Sequence, residues 1–347
     1  MTLTVADLGE LRLIDEILLP GVSGSACGDD CAHVPIGGTN LLWSIDPCPT
    51  PAAAMLDCCT PDVWGHYTAA INLSDIAASG GKPIGMLVSL EMPDDTEIAF
   101  IEGFQKGLLE TLHKSGATLL GGNVKSASRF NAIGTVLGTG GLRAVTRTLA
   151  EDECELFAIG SCGSFWAAIM GEASNWPVAI QAAREILMPA LLNPVPQTQA
   201  GIILGDLPFG VAAMDCSDGL ASAVQQLATI NSLDVEVLAN PTWAIDPLAL
   251  STLAALGGNL ENACWQFGDW QLVCLVPSQH VDAFENALKE SALTRLGSAR
   301  RGSGRVQVAS GKRFTDHVMN KNFAGGYNSV SDINALLDRF MRSSIFC

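Results

Sequence analysis

Positive charge is scarce in this chain. Of its 347 residues only 19 are Lys or Arg, against 36 Asp or Glu, for a formal net charge of -17 at pH 7. Nucleic acids and anionic membrane surfaces both need clustered cations, so neither is an expected partner. Charged residues of both signs make up 16% of the chain and hydrophobic ones 48%, which excludes long disorder. Long apolar runs are missing too. None reaches the roughly 18 residues of a membrane span. The opening MTLTVADLGELRLIDEILLP carries acids early and lacks a cationic start followed by an apolar stretch, so it does not read as a secretory signal. The eleven cysteines include no C-x-x-C pair and are odd in number. They read as free, mostly buried thiols in a reducing cytoplasm. Cys27, Cys31 and His33 have the wrong spacing for a zinc finger and no evident fourth ligand.

The usual nucleotide and catalytic signatures are also absent. There is no G-x-x-x-x-G-K-[ST] loop, no H-R-D or D-F-G set, and no G-x-G-x-x-G after a strand. Five histidines offer no Ser-His-Asp arrangement.

What is present is a mixed pattern of helices and strands. Residues 3–19 read as a short amphipathic helix, and residues 40–46 as a strand ending in an acid. Thr60-Pro61 is a helix start, with Thr as cap and Pro in the first turn. That helix should run to about Ser79 and stop at Gly80-Gly81. A strand is expected at 84–91. Pro93-Asp94 opens a second helix, with Ile98, Ile101, Phe104, Leu108 and Leu112 on one face. Strands follow at 117–121 and 130–138. Acids cluster at Glu151, Asp152, Glu153 and Glu155, and the domain boundary is placed beside them, giving domains 1–148 and 149–347. The second half should hold helices near 164–171, 178–187, 197–204, 219–230 and 279–290. Its strands are expected near 211–215, 233–238, 270–276 and 305–309. No strict βαβ period appears, so the fold class is α+β.

Several Asp residues stand among Gly, Ser and apolar neighbours. They are Asp29, Asp30, Asp46, Asp75, Asp215, Asp218 and Asp269. Carboxylates in such surroundings resist desolvation and repel one another. Few cations are available to neutralise them, and a divalent metal would. Mg²⁺ takes oxygen ligands, commonly one or two carboxylates together with phosphates. The plainer reading makes each Asp a turn residue or helix cap. Asp75 resists it, because it lies inside an apolar helix with no cap role, where a carboxylate needs a partner. Gly121-Gly122-Asn123 reads as a phosphate-hugging turn after a strand, although glycine pairs are common in turns. Arg143 and Arg147, in LRAVTR, are candidate phosphate partners or solvated surface charges.

In sequence order these blocks resemble a known family. AAINLSDIAASGGKPIGMLVSLEMPDD is similar to the NLSDLAAMGA-P region of thiamine-monophosphate kinase. GDDCA, SID, GG-N, LRAVTR, DCSDGL, GDWQL and the closing GGYNSV follow at similar spacing. The wider superfamily includes aminoimidazole ribonucleotide synthetase. The resemblance implies a two-domain PurM-like fold with a C-terminal α/β sandwich, and an N-terminal sheet that forms a barrel across a homodimer. It also implies ATP and Mg²⁺ as cofactors, and a small-molecule phosphate acceptor.

By the same match, Asp30, Asp46, Asp75, Asp215 and Asp218 resemble the family's metal-binding acids, and Ser44 a metal-site hydroxyl. Asp46, Asp75 and Asp218 are the residues expected at the reacting centre. Gly122, Asn123, Arg147 and Ser217 align with the nucleotide side, and Asp269, Trp270 and Tyr327 with the acceptor side.

The departures lie mainly on the acceptor side. Asn123 stands where the kinase pattern has Asp. Ala53 replaces a His, Gly268 a substrate-contacting Glu, and Gln197 an Arg. Each lost polar contact costs about 1–3 kcal/mol of binding. Three functions follow as expectations: thiamine phosphate kinase, the same phosphoryl transfer to another acceptor such as an amide or carboxyl oxygen, or a non-catalytic dimeric scaffold or nucleotide sensor.

Overall fold

The computed structural model describes residues 4–21, 28–238, 244–308, 311–314, 330 and 332–347. The chain opens with α1 (Val5–Leu8) and α2 (Glu10–Leu13), and then builds a first layer. Its elements are β1 (Ala32–Ile36), β2 (Thr39–Pro47), α3 (Pro61–Ala78), β3 (Gly81–Met92), α4 (Ile98–Lys114), β4 (Thr118–Ser126) and β5 (Asn131–Gly140). The five strands form one sheet in the order β1-β2-β5-β3-β4. Only β3 and β4 pair in parallel, joined by α4; the other pairs are antiparallel.

The second half contributes β6 (Glu153–Ile159), α5 (Ser164–Ala173), α6 (Arg184–Leu192), α7 (Thr198–Gly205), β7 (Ala212–Asp215), α8 (Leu220–Asn231) and β8 (Leu233–Val237). After these come α9 (Pro247–Ala255), α10 (Leu260–Trp265), β9 (Leu272–Pro277), α11 (Val281–Ala287), β10 (Leu293–Arg301), β11 (Val306–Val308) and α12 (Ile333–Arg342). Its six strands pair in the order β11-β8-β10-β6-β9-β7. The fold is mixed α+β, as the sequence pattern predicts.

The helix α3 organises the molecule. It is buried from Val63 to Ala78 on nearly every side, apart from the half-buried Trp64. A helix apolar all round belongs between layers rather than on a surface. Its small residues allow that. A Cβ on Gly65 would stand 2.0 Å from the Phe104 carbonyl oxygen of α4, and one on Gly201 of α7 would stand 2.5 Å from Ala77. The first sheet covers another side of α3, and one continuous apolar core runs from Leu42 and Val136 to Val235 and Leu296 of the second sheet.

Several expectations are corrected. Gly121-Gly122-Asn123 is not a turn after a strand; it lies within β4, in register with Leu87, Val88 and Ser89 of β3. The acidic stretch after 150 is largely a strand. In β6, Cys154 and Leu156 are buried and Glu153 is exposed, so period-two alternation explains the acids. The half-buried Glu155 meets Arg295 of β10 at 2.7 Å. The strands β1 and β10 and the helices α9, α10 and α12 had no counterpart in the sequence reading. The expected helix at 178–187 is a 3-10 segment, Val178–Ala183, followed by α6. The second helix begins at Ile98, after the Pro93–Glu97 segment.

Among the described residues, no helix is long and apolar enough to cross a membrane. The ten described cysteines are all free.

Candidate active site

The site is assembled from three separate parts of the chain. Alternation along β2 buries Leu42 and Ser44 while Trp43 and Ile45 point outward, so Asp46 shares the inward face with Ser44. That face meets α3. Asp75 and Asn72 are three residues apart on α3 and therefore share its side toward β2. The Ser44 hydroxyl donates to Asp75 Oδ2. The Asp46 amide donates to Asn72 Oδ1 at 3.2 Å, and Asn72 Nδ2 is held by the Thr68 carbonyl at 2.9 Å.

The second part is the segment before β1. Asp29 Oδ1 accepts the Arg147 amide at 2.7 Å, and Asp30 Oδ1 accepts Arg147 Nη2 at 2.6 Å. The Asp30 side chain is 4% exposed. Arg147 is fixed from its other side as well. Its carbonyl accepts Asn231 Nδ2 at 2.8 Å, and Asn231 Oδ1 accepts the Leu149 amide at 2.6 Å. Arg147 Nε is buried and has no hydrogen-bond partner among the described residues.

The third part is the end of β7. Asp215 is buried there, and Ser217 Oγ donates to its Oδ1 at 3.1 Å. The following turn closes from the Gly219 amide to the Cys216 carbonyl at 2.9 Å. Gly219 has φ +96°, a value that favours glycine, and starts α8.

Asp30, Asp75 and Asp215 converge. One carboxylate oxygen from each lies within 4.8 Å of the others. Burial pushes the Asp75 carboxyl well above its usual range, and the negative charges of Asp215, Asp46 and Asp30 push it further. Burial also raises Asp30, with Arg147 working against that rise. Hard oxygen donors in mutual repulsion are a donor set that suits Mg²⁺. Asp46 contributes to this field, while Ser44 and Ser217 hold two of the carboxylates in place. Asp218 is half-buried in the turn after Asp215. One of the few cations does reach the cluster, since Asp30 has Arg147 as a direct counter-ion.

Other expected residues are not gathered here. Gly122 is in the cross-strand row of Asp46, Gly134 and Val88, on the same face of the sheet. It is three strand spacings away, about 14 Å. Asn123 is in register with Ser89, which places it on the opposite face.

Asp269 accepts the Gly163 amide at 2.7 Å and the Phe165 amide at 2.9 Å. It therefore caps the start of α5 with both oxygens, the plainer of its two sequence readings. Burial nevertheless pushes its carboxyl up to about 7, against the backbone hydrogen bonds from Phe165, Gly163 and Ser164. Trp270 is 8% exposed and stands edge-on to Tyr67 at 6.1 Å, and its buried Nε1 has no hydrogen-bond partner among the described residues. Gly268 has φ +128°, and a Cβ on it would stand 2.1 Å from the Phe165 ring. Ala53, at the expected His position, is fully buried. Tyr327 and Cys27 lie outside the described residues.

The sequence reading missed Asn72 and Asn231. Asn72 had a signal, since it precedes Asp75 by three residues on one helix. Asn231 had none, because its link to Arg147 spans 84 residues of chain.

Residues 28–141 match the family described as AIR synthase related protein, N-terminal domain. The thiamine-monophosphate kinase of Aquifex aeolicus is 25% identical over 303 residues, covering 86% of this chain and 94% of that protein. The thiamine-monophosphate kinase of Synechococcus elongatus is 28% identical over 285 residues, covering 79% and 84%. Among solved structures, AaThiL complexed with AMPPCP and TMP superimposes with a TM-score of 0.77 at 23% identity, over 90% of this chain and 97% of that one. That likeness shows the fold. The chain resembles thiamine-monophosphate kinase along most of its length.

Proposed function

From that resemblance we propose that the protein is an ATP- and Mg²⁺-dependent kinase that converts thiamine phosphate to thiamine diphosphate. The observation that carries the proposal is the convergence of Asp30, Asp75 and Asp215 from three distant segments onto one point. Asp30 and Asp75 have raised carboxyl pKa values beside the buried Asp215, and such a cluster with few counter-charges has no evident structural use. The similar kinases, and the AMPPCP and TMP held by AaThiL, support ATP as donor and thiamine phosphate as acceptor.

In the reaction an acceptor phosphate oxygen forms a bond to the γ-phosphorus of ATP. The bond from that phosphorus to the β,γ-bridging oxygen breaks, and ADP leaves with the electron pair. The acceptor is already an anion, so no general base is required. Asp30, Asp46, Asp75, Asp215 and Asp218, with Ser44 nearby, would hold Mg²⁺, which would supply positive charge for the phosphate oxygens. Ser44 and Ser217 orient the carboxylates. Arg147 offers an unpartnered Nε donor to a phosphate oxygen, and Gly122 and Ser217 border the nucleotide. Asn123 is left out of this set by its register.

A homodimer is part of the proposal. Ile36, Trp43, Ile45, Leu87 and Leu120 are all large apolar residues at least 43% exposed on the outer face of the first sheet. A contiguous apolar face of this kind is a protein contact surface. Two such sheets facing each other would close the barrel expected across the dimer. Domains 1–148 and 149–347, and a cytoplasmic location, belong to the same reading.

The acceptor side favours a second reading, phosphoryl transfer to a different small acceptor. Phe165 fills the space beside Gly268, and Asp269 and Trp270 are committed to a helix cap and to packing. Incubation with Mg²⁺–ATP and thiamine phosphate, followed by chromatography, tests the choice. ADP with thiamine diphosphate supports the kinase. Slow ATP turnover that thiamine phosphate leaves unchanged supports another acceptor. No ATP turnover and no thermal shift with Mg²⁺–ATP would leave the scaffold reading.

A further inference from the structure

The C-terminal helix α12 is linked to the turn after Asp215 through a short series of contacts. Leu336 and Phe340 are four residues apart on α12 and form its buried side. The Phe340 ring, on a residue 2% exposed, stacks on Trp166 of α5 with centroids 4.1 Å apart and planes 9° apart. An indole held flat against another ring keeps its plane, and its Nε1–H points along that plane. Trp166 Nε1 donates to the Phe267 carbonyl at 2.9 Å, and the Trp166 and Phe267 rings meet edge to face at 5.3 Å. A second link runs through the backbone of Phe340. Its carbonyl accepts Asn262 Nδ2 of α10, and the same nitrogen donates to the Ser343 carbonyl at 2.8 Å. Phe340 thus secures both α10 and the Phe267 carbonyl just beyond it.

The stretch from Trp265 to Phe267 packs on the turn that carries Asp215, Ser217 and Asp218. A Cβ on Gly219 would stand 3.0 Å from the Phe267 nitrogen, 3.1 Å from the Gln266 carbonyl carbon and 3.2 Å from the Trp265 carbonyl oxygen. Two backbones this close cannot shift independently without overlap or a void. The next residue, Gly268, has φ +128°. Glycine gives that segment conformational freedom, which the hydrogen bond to Trp166 restrains.

We propose that Phe340 and Trp166 are positioning residues for the Asp215–Gly219 turn of the proposed metal centre. The stack fixes the indole, the indole holds the Phe267 backbone, and that backbone sets where the turn places Asp215 and Asp218. Neither aromatic residue is a proposed ligand; both act through the packed segment between them and the turn. The inference rests on the reading of the carboxylates as a Mg²⁺ site and gives the C-terminal helix a part in shaping it.

The test compares Phe340→Leu and Trp166→Phe with the parent, all as the full chain. Phe340→Leu keeps an apolar side chain and loses the flat face. Trp166→Phe keeps a ring and loses the Nε1 donor, and it carries the test if Phe340→Leu does not fold. Calorimetric titration with Mg²⁺ alone should show about 5-fold weaker binding in each variant, the scale of a change acting through packed neighbours. The double variant should lose little more than either single one, because both act through the same carbonyl. Without metal, the Gly219 amide, bonded to the Cys216 carbonyl at 2.9 Å, should exchange its hydrogen faster in both variants. Variants that melt lower yet bind Mg²⁺ and exchange at Gly219 as the parent does would make the stack a packing feature and overturn the proposal. Losses that multiply in the double variant would overturn it too. If the parent itself binds no Mg²⁺ at millimolar concentration, the proposed metal centre falls and this proposal with it, whereas parent binding with unchanged variants removes this proposal alone.

Discussion

Asp75, buried, and Asp269, half-buried, both have raised pKa values, and their surroundings differ in kind. Asp269 spends its two oxygens on the Gly163 and Phe165 amides at the start of a helix. Its negative charge meets the positive end of a dipole, which offsets part of the cost of its burial. Asp75 has the Ser44 hydroxyl as a donor and faces Asp30, Asp46 and Asp215. Burial there is compounded by repulsion. The first arrangement secures a helix, whereas the second gathers carboxylates whose repulsion a bound cation would relieve. Low exposure alone does not separate structural acids from functional ones; the sign of the neighbouring charges does.

The largest test of this contrast is Asp75→Asn. Phosphoryl transfer should fall by about 10²-fold or more, the scale seen when one preorganised electrostatic group is lost. Denaturant unfolding without Mg²⁺ should show stability unchanged or higher, because a repelling charge has gone. A large loss of stability would make Asp75 a structural residue. Asp269→Ala should behave in the opposite way and cost about 1–2 kcal/mol, as a lost helix cap does. Urea unfolding measures that loss, and an unchanged midpoint would remove the capping role.

Arg147→Gln probes the boundary between the two kinds of site. Asp30 then loses its counter-ion at 2.6 Å, so Mg²⁺ should bind the nucleotide-free protein a few-fold more tightly. Binding of ATP should weaken at the same time. Calorimetry with Mg²⁺ alone and then with Mg²⁺–ATP separates the two effects, and equal weakening of both would mean that Arg147 only holds the fold.

The same contrast extends to pH dependence. The Asp269 carboxyl lies at about 7 in the folded chain, against an ordinary 3.8. Between those values the unfolded chain has released a proton that the native state keeps. The contribution to stability is therefore full below about 3.8 and is lost as pH rises through 7. Asp30 and Asp75 shift in the same direction. Stability without metal should decline from pH 5 to pH 8, and Asp269→Asn should make the decline shallower. A parallel slope in the variant would assign the whole effect to the other carboxylates.

Much of the site was legible before any coordinates. Asp75 stood out because an ionisable group inside the apolar run AAINLSDIAA has no local use. Thr60-Pro61 marked the start of α3 because Pro61 acts within the first turn, although the Thr60 side chain makes no capping hydrogen bond. The strand β6 was hidden because alternation such as E-C-E-L looks like an acidic linker until a partner strand supplies its pairing. The Gly121-Gly122-Asn123 segment misled for a related reason. Glycine pairs are read as turns, whereas in β4 Gly122 has no room for a side chain, since a Cβ there would stand 2.0 Å from the Val88 carbonyl oxygen.

The scarcity of cations, the apolar setting of a few acids and the helix α3 were fixed by the residues themselves, because each depends on composition or on neighbours within a few positions. The tertiary structure alone decided which acids meet. Asp30, Asp75 and Asp215 are separated by 45 and 140 residues and converge through the packing of β7 and the segment before β1 around α3. It also decided that Arg147 reaches Asp30, that Asp269 faces a helix start, and that Asn123 points away. Each of these depends on direction in space between segments far apart in the chain, and local sequence carries no record of that direction.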